Sequence, residues 1–205
     1  MKLNELEMKI QLESEDHFQS VFDRCEKVFG PPVSQMRQLD KYYDTSDSQL
    51  KKQDLVIRIR SMGDQRTIAL KSPRVQMPHG ASSRIELEFV AAEAKKVEEQ
   101  LSSQGLQAYE ASEKERWTFT FKECEIVIDR LPFIGSFVEI EGPTEAAILE
   151  IVQLLHLSSF APLQKNYGEL IAEKFKKLGL SQIHATFAAE AAFNEKSSMN
   201  HDVYN

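Results

Sequence analysis

Charged and apolar residues alternate from the start of the chain: Glu5, Glu7 and Lys9 interleave with Leu6, Met8 and Ile10. A period of two is that of a β-strand, with charge on one face and packing on the other. The period then lengthens. Phe18, Val21, Phe22, Cys25, Val28 and Phe29 recur at helical spacing, and Gly30-Pro31-Pro32 ends the pattern. A strand is predicted from Val33 to Asp44, then a short helix or loop over Ser46 to Lys52. Leu55 to Arg60 and Thr67 to Lys71 alternate again around Met62-Gly63-Asp64-Gln65, which predicts a hairpin. Ser72 to Ser83 holds Pro73, Pro78 and Gly80 without periodicity and reads as a mobile loop. Further strands are predicted over Arg84 to Phe89, Lys114 to Phe121, Ile126 to Asp129 and Val138 to Glu141. Helices are predicted over Ala91 to Gln104, from Pro143 through Leu155, and from Asn166 to Leu178. Beyond Leu178, the 179–205 tail reads as one or two Ala-rich helical turns with a polar, partly disordered end.

The chain is long enough for one good core, so a single domain over 1–178 is the expectation. No apolar run approaches membrane-spanning length and the N-terminus reads as a charged strand, which predicts a cytoplasmic protein without membrane contact. Cys25 and Cys124 lack metal-type spacing. A net charge of -7 argues against a nucleic-acid partner, so any anion site must be a local concentration of Arg and Lys. The five histidines, His17, His79, His156, His184 and His201, are dispersed, and neither a glycine-rich phosphate loop nor a Ser or Cys nucleophile with a supporting His is present.

The polar strand faces carry Glu5, Glu7, Lys9, Arg58, Arg60, Lys71, Arg84, Glu86, Glu88, Lys114, Arg116, Asp129, Glu139 and Glu141. Two readings fit. The faces could be wet, with cross-strand ion pairs. Alternatively, antiparallel strands close into an α+β barrel whose charges face inward and whose apolar outer surface is covered by the amphipathic helices. A charged interior is costly without a guest. Arg and Lys suit a chain of phosphates, whereas the acids suit a divalent cation bridging to it.

Glu5-Leu6-Glu7-Met8-Lys9 resembles the ExExK signature of the CYTH superfamily, the triphosphate tunnel metalloenzymes. The resemblance continues in order through Asp40-Lys41-Tyr42-Tyr43-Asp44-Thr45, Leu55 to Arg60, Leu70-Lys71, Arg84 to Glu88, Glu113 to Arg116, Val127 to Asp129, Phe137 to Gly142 and Asn166-Tyr167. It implies a closed eight-stranded antiparallel tunnel that binds a triphosphate with Mg²⁺ or Mn²⁺. On this resemblance Glu5, Glu7, Asp129, Glu139 and Glu141 are the metal-side acids, with the first four catalytic through the metal. Lys9, Arg58, Arg60, Lys71, Lys114, Arg116 and Lys165 contact phosphate, and Arg84, Glu86 and Glu88 line the tunnel. The family look is that of microbial class IV adenylyl cyclases, which convert ATP to cyclic AMP and pyrophosphate. An inorganic or thiamine triphosphatase and a non-catalytic triphosphate binder are the rivals, each a monomer or homodimer with a small-molecule partner.

Overall fold

The computed structural model describes residues 4–181 and 184–202. In chain order the elements are β1 (Asn4–Leu12), α1 (Glu15–Phe29), β2 (Ser34–Asp44), α2 (Gln49–Lys52), β3 (Val56–Met62), β4 (Gln65–Lys71), β5 (Val75–Gln76), β6 (Ser82–Val90), α3 (Ala94–Ser103), β7 (Gln107–Phe121), β8 (Cys124–Leu131), β9 (Gly135–Glu141), α4 (Glu145–Leu154), α5 (Tyr167–Leu178), β10 (His184–Ala185) and α6 (Phe187–Asp202). Strands β1, β9, β8, β7, β2, β3, β4 and β6 neighbour one another in that order, and β1 pairs back onto β6 to close an antiparallel barrel. The tunnel architecture expected from the sequence is therefore present.

The alternation decides which side of each strand faces where. Met8, Ile10, Trp117, Phe119, Ile126, Ile128, Val138 and Ile140 point outward into a core beneath α1 and α4. Helix α1 begins where Ser14 accepts a hydrogen bond from the His17 backbone N–H, and it lays Phe18 and Phe22 edge-on against Trp117 at 5.5 and 6.0 Å. Burying one such ring contributes about 1.5–3 kcal/mol. Thr144 caps α4, which adds Ile148, Ile151 and Val152 to the same core. The opposite wall differs from expectation. Leu70, Ile85 and Phe89 on β4 and β6 face outward and are exposed, so the helices clothe only one side of the barrel.

Three further predictions are corrected. The 72–83 segment is pinned in place: β5 pairs with β6, Arg84 donates to the Ser72 carbonyl, and Arg74 pairs with Asp54 and Glu169. Strand β7 begins seven residues before the expected start at Lys114, at Gln107. Over its described residues the tail is folded: β10 lies parallel to β7 and buries Ala185, the Phe187 N–H donates to Glu113, and the Phe133 N–H donates to Glu190. Residues 203–205 of that tail lie outside the described residues. No helix among the described residues is long and apolar enough to cross a membrane.

Candidate functional site

The barrel encloses a cavity of about 420 Å³, and its wall is ionic. Lys9, Arg58, Arg60, Lys71, Lys114 and Arg116 line it, as do Glu5, Glu7, Glu86, Glu88, Glu139 and Glu141. These are inward positions of alternating strands, brought together by register: Lys9 lies opposite Glu139, Lys71 opposite Glu86, and Arg58 opposite Ala69. Because Ala69 is small, Arg58 reaches past it to Glu88 at 2.9 Å and Glu86 at 3.4 Å.

Several cations already pair with acids of the protein. Arg60 donates two hydrogen bonds to Asp40, at 2.7 and 2.8 Å, in the two-pronged geometry that guanidinium favours. Burial would raise Asp40, but Arg60 and Arg58 outweigh it and hold the carboxyl far below its usual range. Arg116 bridges Asp129 at 2.5 Å and Glu139 at 2.6 Å. Asp129 also accepts from the Tyr167 hydroxyl at 3.1 Å and pairs with Lys114 at 3.4 Å. Asp129 is wholly buried and lies behind the cavity lining, so the structure makes it the counter-ion of Arg116 and Lys114, not a wall acid as the sequence suggested. Tyr167 closes this end, with Lys9 Nζ 4.1 Å from its ring centroid.

Other groups are held less completely. Burial, followed by Arg116, pulls Lys114 down to about 7. Lys71 pairs with Glu86 at 2.6 Å and Glu5 at 3.2 Å. Burial raises Glu5; Lys71 opposes the rise, and Glu7 and Glu86 add to it, so Glu5 retains its proton well above the carboxylate range. Glu139 is held down, because Lys9, Arg116 and Lys114 outweigh its burial. Among the described residues no three His, Cys, Asp or Glu side chains stand in a metal-holding arrangement.

Two of the expected residues have further partners. Arg84 gives its guanidinium to the Ser72 and Asp54 carbonyls and so braces the 72–83 segment while lining the wall. Lys165, expected from the sequence to contact phosphate, is half exposed and pairs with Glu173 at 2.5 Å; it lines a small pocket that shares Glu7, Lys9 and Arg84 with the main cavity. The structure also adds Tyr42, Tyr109, Glu110 and Glu125 to the wall. Glu125 follows from extending the inward alternation of Asp129 back along β8, and Glu110 from extending Lys114 and Arg116 back along β7. Glu7, Glu141 and Glu125 face one another across β1, β9 and β8. The Asp40 to Thr45 stretch is mainly framework: Asp40 holds Arg60, and Asp44 accepts the Leu50 and Lys51 backbone N–H groups at the start of α2.

Solved structures share this fold. The PH1819 protein of Pyrococcus horikoshii superimposes with a TM-score of 0.68 at 23% identity, covering 83% of this chain and 99% of its own. A candidate adenylate cyclase of Vibrio parahaemolyticus gives 0.66 at 17% identity, over 84% of this chain and 99% of its own. A Hippeastrum adenylyl cyclase candidate with a dominant triphosphatase activity gives 0.64 at 14% identity, over 86% and 97%. No curated protein matches the chain in sequence. The CYTH domain model matches residues 3–167, which includes every strand of the barrel, so the chain belongs to the CYTH domain family.

Proposed function

We propose that this chain is a divalent-metal-dependent enzyme acting on a nucleoside triphosphate in the manner of a class IV adenylyl cyclase, converting ATP to cyclic AMP and pyrophosphate. The observation that carries the reading is the concentration of cations and acids on the wall of one cavity. Lys9, Arg58, Lys71, Lys114 and Arg116 provide cationic donors for a phosphate chain, beside acids that a bare anion would not need.

The acids fit Mg²⁺ or Mn²⁺ by their chemistry. Glu7, Glu141 and Glu125 stand side by side on neighbouring strands, which gathers three carboxyl groups on one part of the wall. Glu5, raised chiefly by burial and further by Glu7 and Glu86 against the pull of Lys71, holds a proton where a cation would relieve it. Their carboxylate oxygens are the donors that these hard cations prefer. Glu5, Glu7, Glu139 and Glu141 would hold the metal. When bound, it supplies charge neutralisation at the phosphates.

The chain's own part is positioning. Arg58 and Lys71 grip phosphate from one wall, with Lys9, Lys114 and Arg116 facing them from the other. In-line displacement depends on such placement more than on covalent help from the protein. In a cyclase the ribose 3'-hydroxyl attacks the α-phosphorus, its bond to pyrophosphate breaks, and the hydroxyl proton passes to a base. The same clamp serves hydrolysis, with water attacking the terminal phosphorus; the Hippeastrum relative makes that the second reading. The presence of Tyr42, Tyr109 and Glu110 on the same wall supports an organic triphosphate over a bare phosphate chain, whichever of the two reactions follows. The test is incubation with ATP, inorganic triphosphate or thiamine triphosphate, each with Mg²⁺ or Mn²⁺, followed by chromatography. Cyclic AMP and pyrophosphate from ATP are expected. Free phosphate with no cyclic product would move the protein to the hydrolases, and turnover indifferent to EDTA would remove the metal.

A further inference from the structure

Glu110 is the least explained charge in the molecule. It sits on the early half of β7 with 2% of its surface exposed, and its Oε1 has no hydrogen-bond partner. An unmade hydrogen bond at a buried acceptor costs about 1–3 kcal/mol, so such a group asks for a reason. The surroundings give it little relief. Its neighbour across β2 is Tyr42, and Asp40 two residues further along repels it. Lys51 offsets the charge only in part and lies over the Tyr109 ring. The first turn of α5 closes in: a Cβ on Gly168 would stand 2.9 Å from Glu110 Oε1 and 3.1 Å from Oε2. Any side chain at 168 would push the carboxyl from this position.

The placement of this carboxyl relative to the phosphate clamp is informative. Arg58 pairs in register with Tyr42, and Tyr42 with Glu110, so a cation, a phenol and a carboxyl form one row across β3, β2 and β7, all on the cavity wall. Arg58 itself retains a buried Nε without a partner. One end of the row lacks an acceptor and the other lacks a donor. A phosphate ester supplies both: phosphate oxygen at Arg58, and an N–H or O–H of its organic part at Glu110.

We propose that Glu110, flanked by Tyr42 and made room for by Gly168, is a specificity-determining residue that accepts a hydrogen bond from the organic end of a triphosphate ester and so selects a nucleoside triphosphate over inorganic triphosphate. The inference rests on the triphosphate reading above and adds to it the residue that reads the non-phosphate end. A titration of Glu110 near neutrality is consistent with a carboxyl left without its partner.

The test is calorimetric titration of the full chain with Mg²⁺-ATP and with Mg²⁺-triphosphate, comparing wild type with Glu110→Ala, Glu110→Gln and Gly168→Ala. Removing a hydrogen bond to a charged group should weaken ATP by about tenfold or more in Glu110→Ala, leaving inorganic triphosphate within about twofold. Gly168→Ala, which displaces the carboxyl without removing it, should shift the same ratio in the same direction. Glu110→Gln keeps an acceptor and should retain more ATP affinity than Ala. If both ligands weaken equally, Glu110 merely braces α5 and the proposal fails. Unchanged ATP affinity in Glu110→Ala overturns it as well. A wild type that binds triphosphate but not ATP refutes this inference and leaves the tunnel reading standing, whereas a wild type that binds neither refutes both.

Discussion

Asp40 and Glu110 lie on adjacent strands of the same tunnel, each almost fully buried, and they have opposite electrostatics. Asp40 is gripped by two nitrogens of Arg60 and ionises far below the usual range; Glu110 has an oxygen with no donor and is pushed up to about 7 by burial. The arginines divide in the same way. Arg60 is committed to Asp40, whereas Arg58 keeps a nitrogen unpaired. Depth of burial therefore does not separate framework from site in this barrel. Completeness of pairing does: a saturated pair such as Arg60 with Asp40 stiffens the wall, and the incompletely paired groups face the guest.

The largest effect that bears on this contrast is on stability. Asp40→Ala strands the buried Arg60 and should cost about 3–5 kcal/mol in chemical denaturation, since an uncompensated buried charge is the most expensive way to break a pair. A loss below about 1 kcal/mol would remove the distinction. Glu110→Gln should act in the opposite direction. An acid whose folded value lies above its unfolded one binds its proton more tightly when folded, so its contribution to stability falls as pH climbs from about 4.5 to about 7. The Gln variant lacks that fall. Denaturation curves should therefore converge with wild type on this contribution below about pH 4.5 and favour the variant above about pH 7, by at most about 3 kcal/mol.

Arg58→Ala comes next, and it sharpens the comparison between the arginines. It should weaken triphosphate binding by about tenfold to hundredfold in a calorimetric titration, whereas Arg60→Ala should register first in the melting temperature. Equal binding losses in the two would erase their difference. Lys165→Ala should be the mildest: its exposed, solvent-screened pair with Glu173 adds little to stability, and triphosphate affinity should stay within about twofold.

Much of the barrel was legible because alternation survives wherever one strand face is packed and the other charged, as in Glu5 to Ile10 and Val138 to Glu141. What the sequence concealed depended on distant partners. Gln107 to Glu113 carries Ala, Glu and Gln, poor strand formers, and is extended because β2 pairs along it and β10 joins it in parallel. Glu110 was missed with it. The 72–83 segment has no periodicity to read, and Arg74 and Arg84 hold it through residues as distant as Glu169. Asp129 shows a different limit. Alternation assigned it correctly to the inner face, but face is not depth, and Tyr167, from a helix later in the chain, covers it. Tail residues such as Ala185 and Phe187 gain their order from β7, again non-locally.

The closure of β1 also has a kinetic side. This strand is made first, yet its partners are β6 and, much later, residues Ser136 to Glu141 of β9. During synthesis the segment with Glu5, Glu7 and Lys9 must wait for most of the domain to emerge before its second edge is paired. Such long-range pairing slows folding, and an unpaired strand invites the wrong neighbour meanwhile. Alternating charge on that waiting strand works against mispairing, so the residues that serve the finished tunnel also protect the unfinished one.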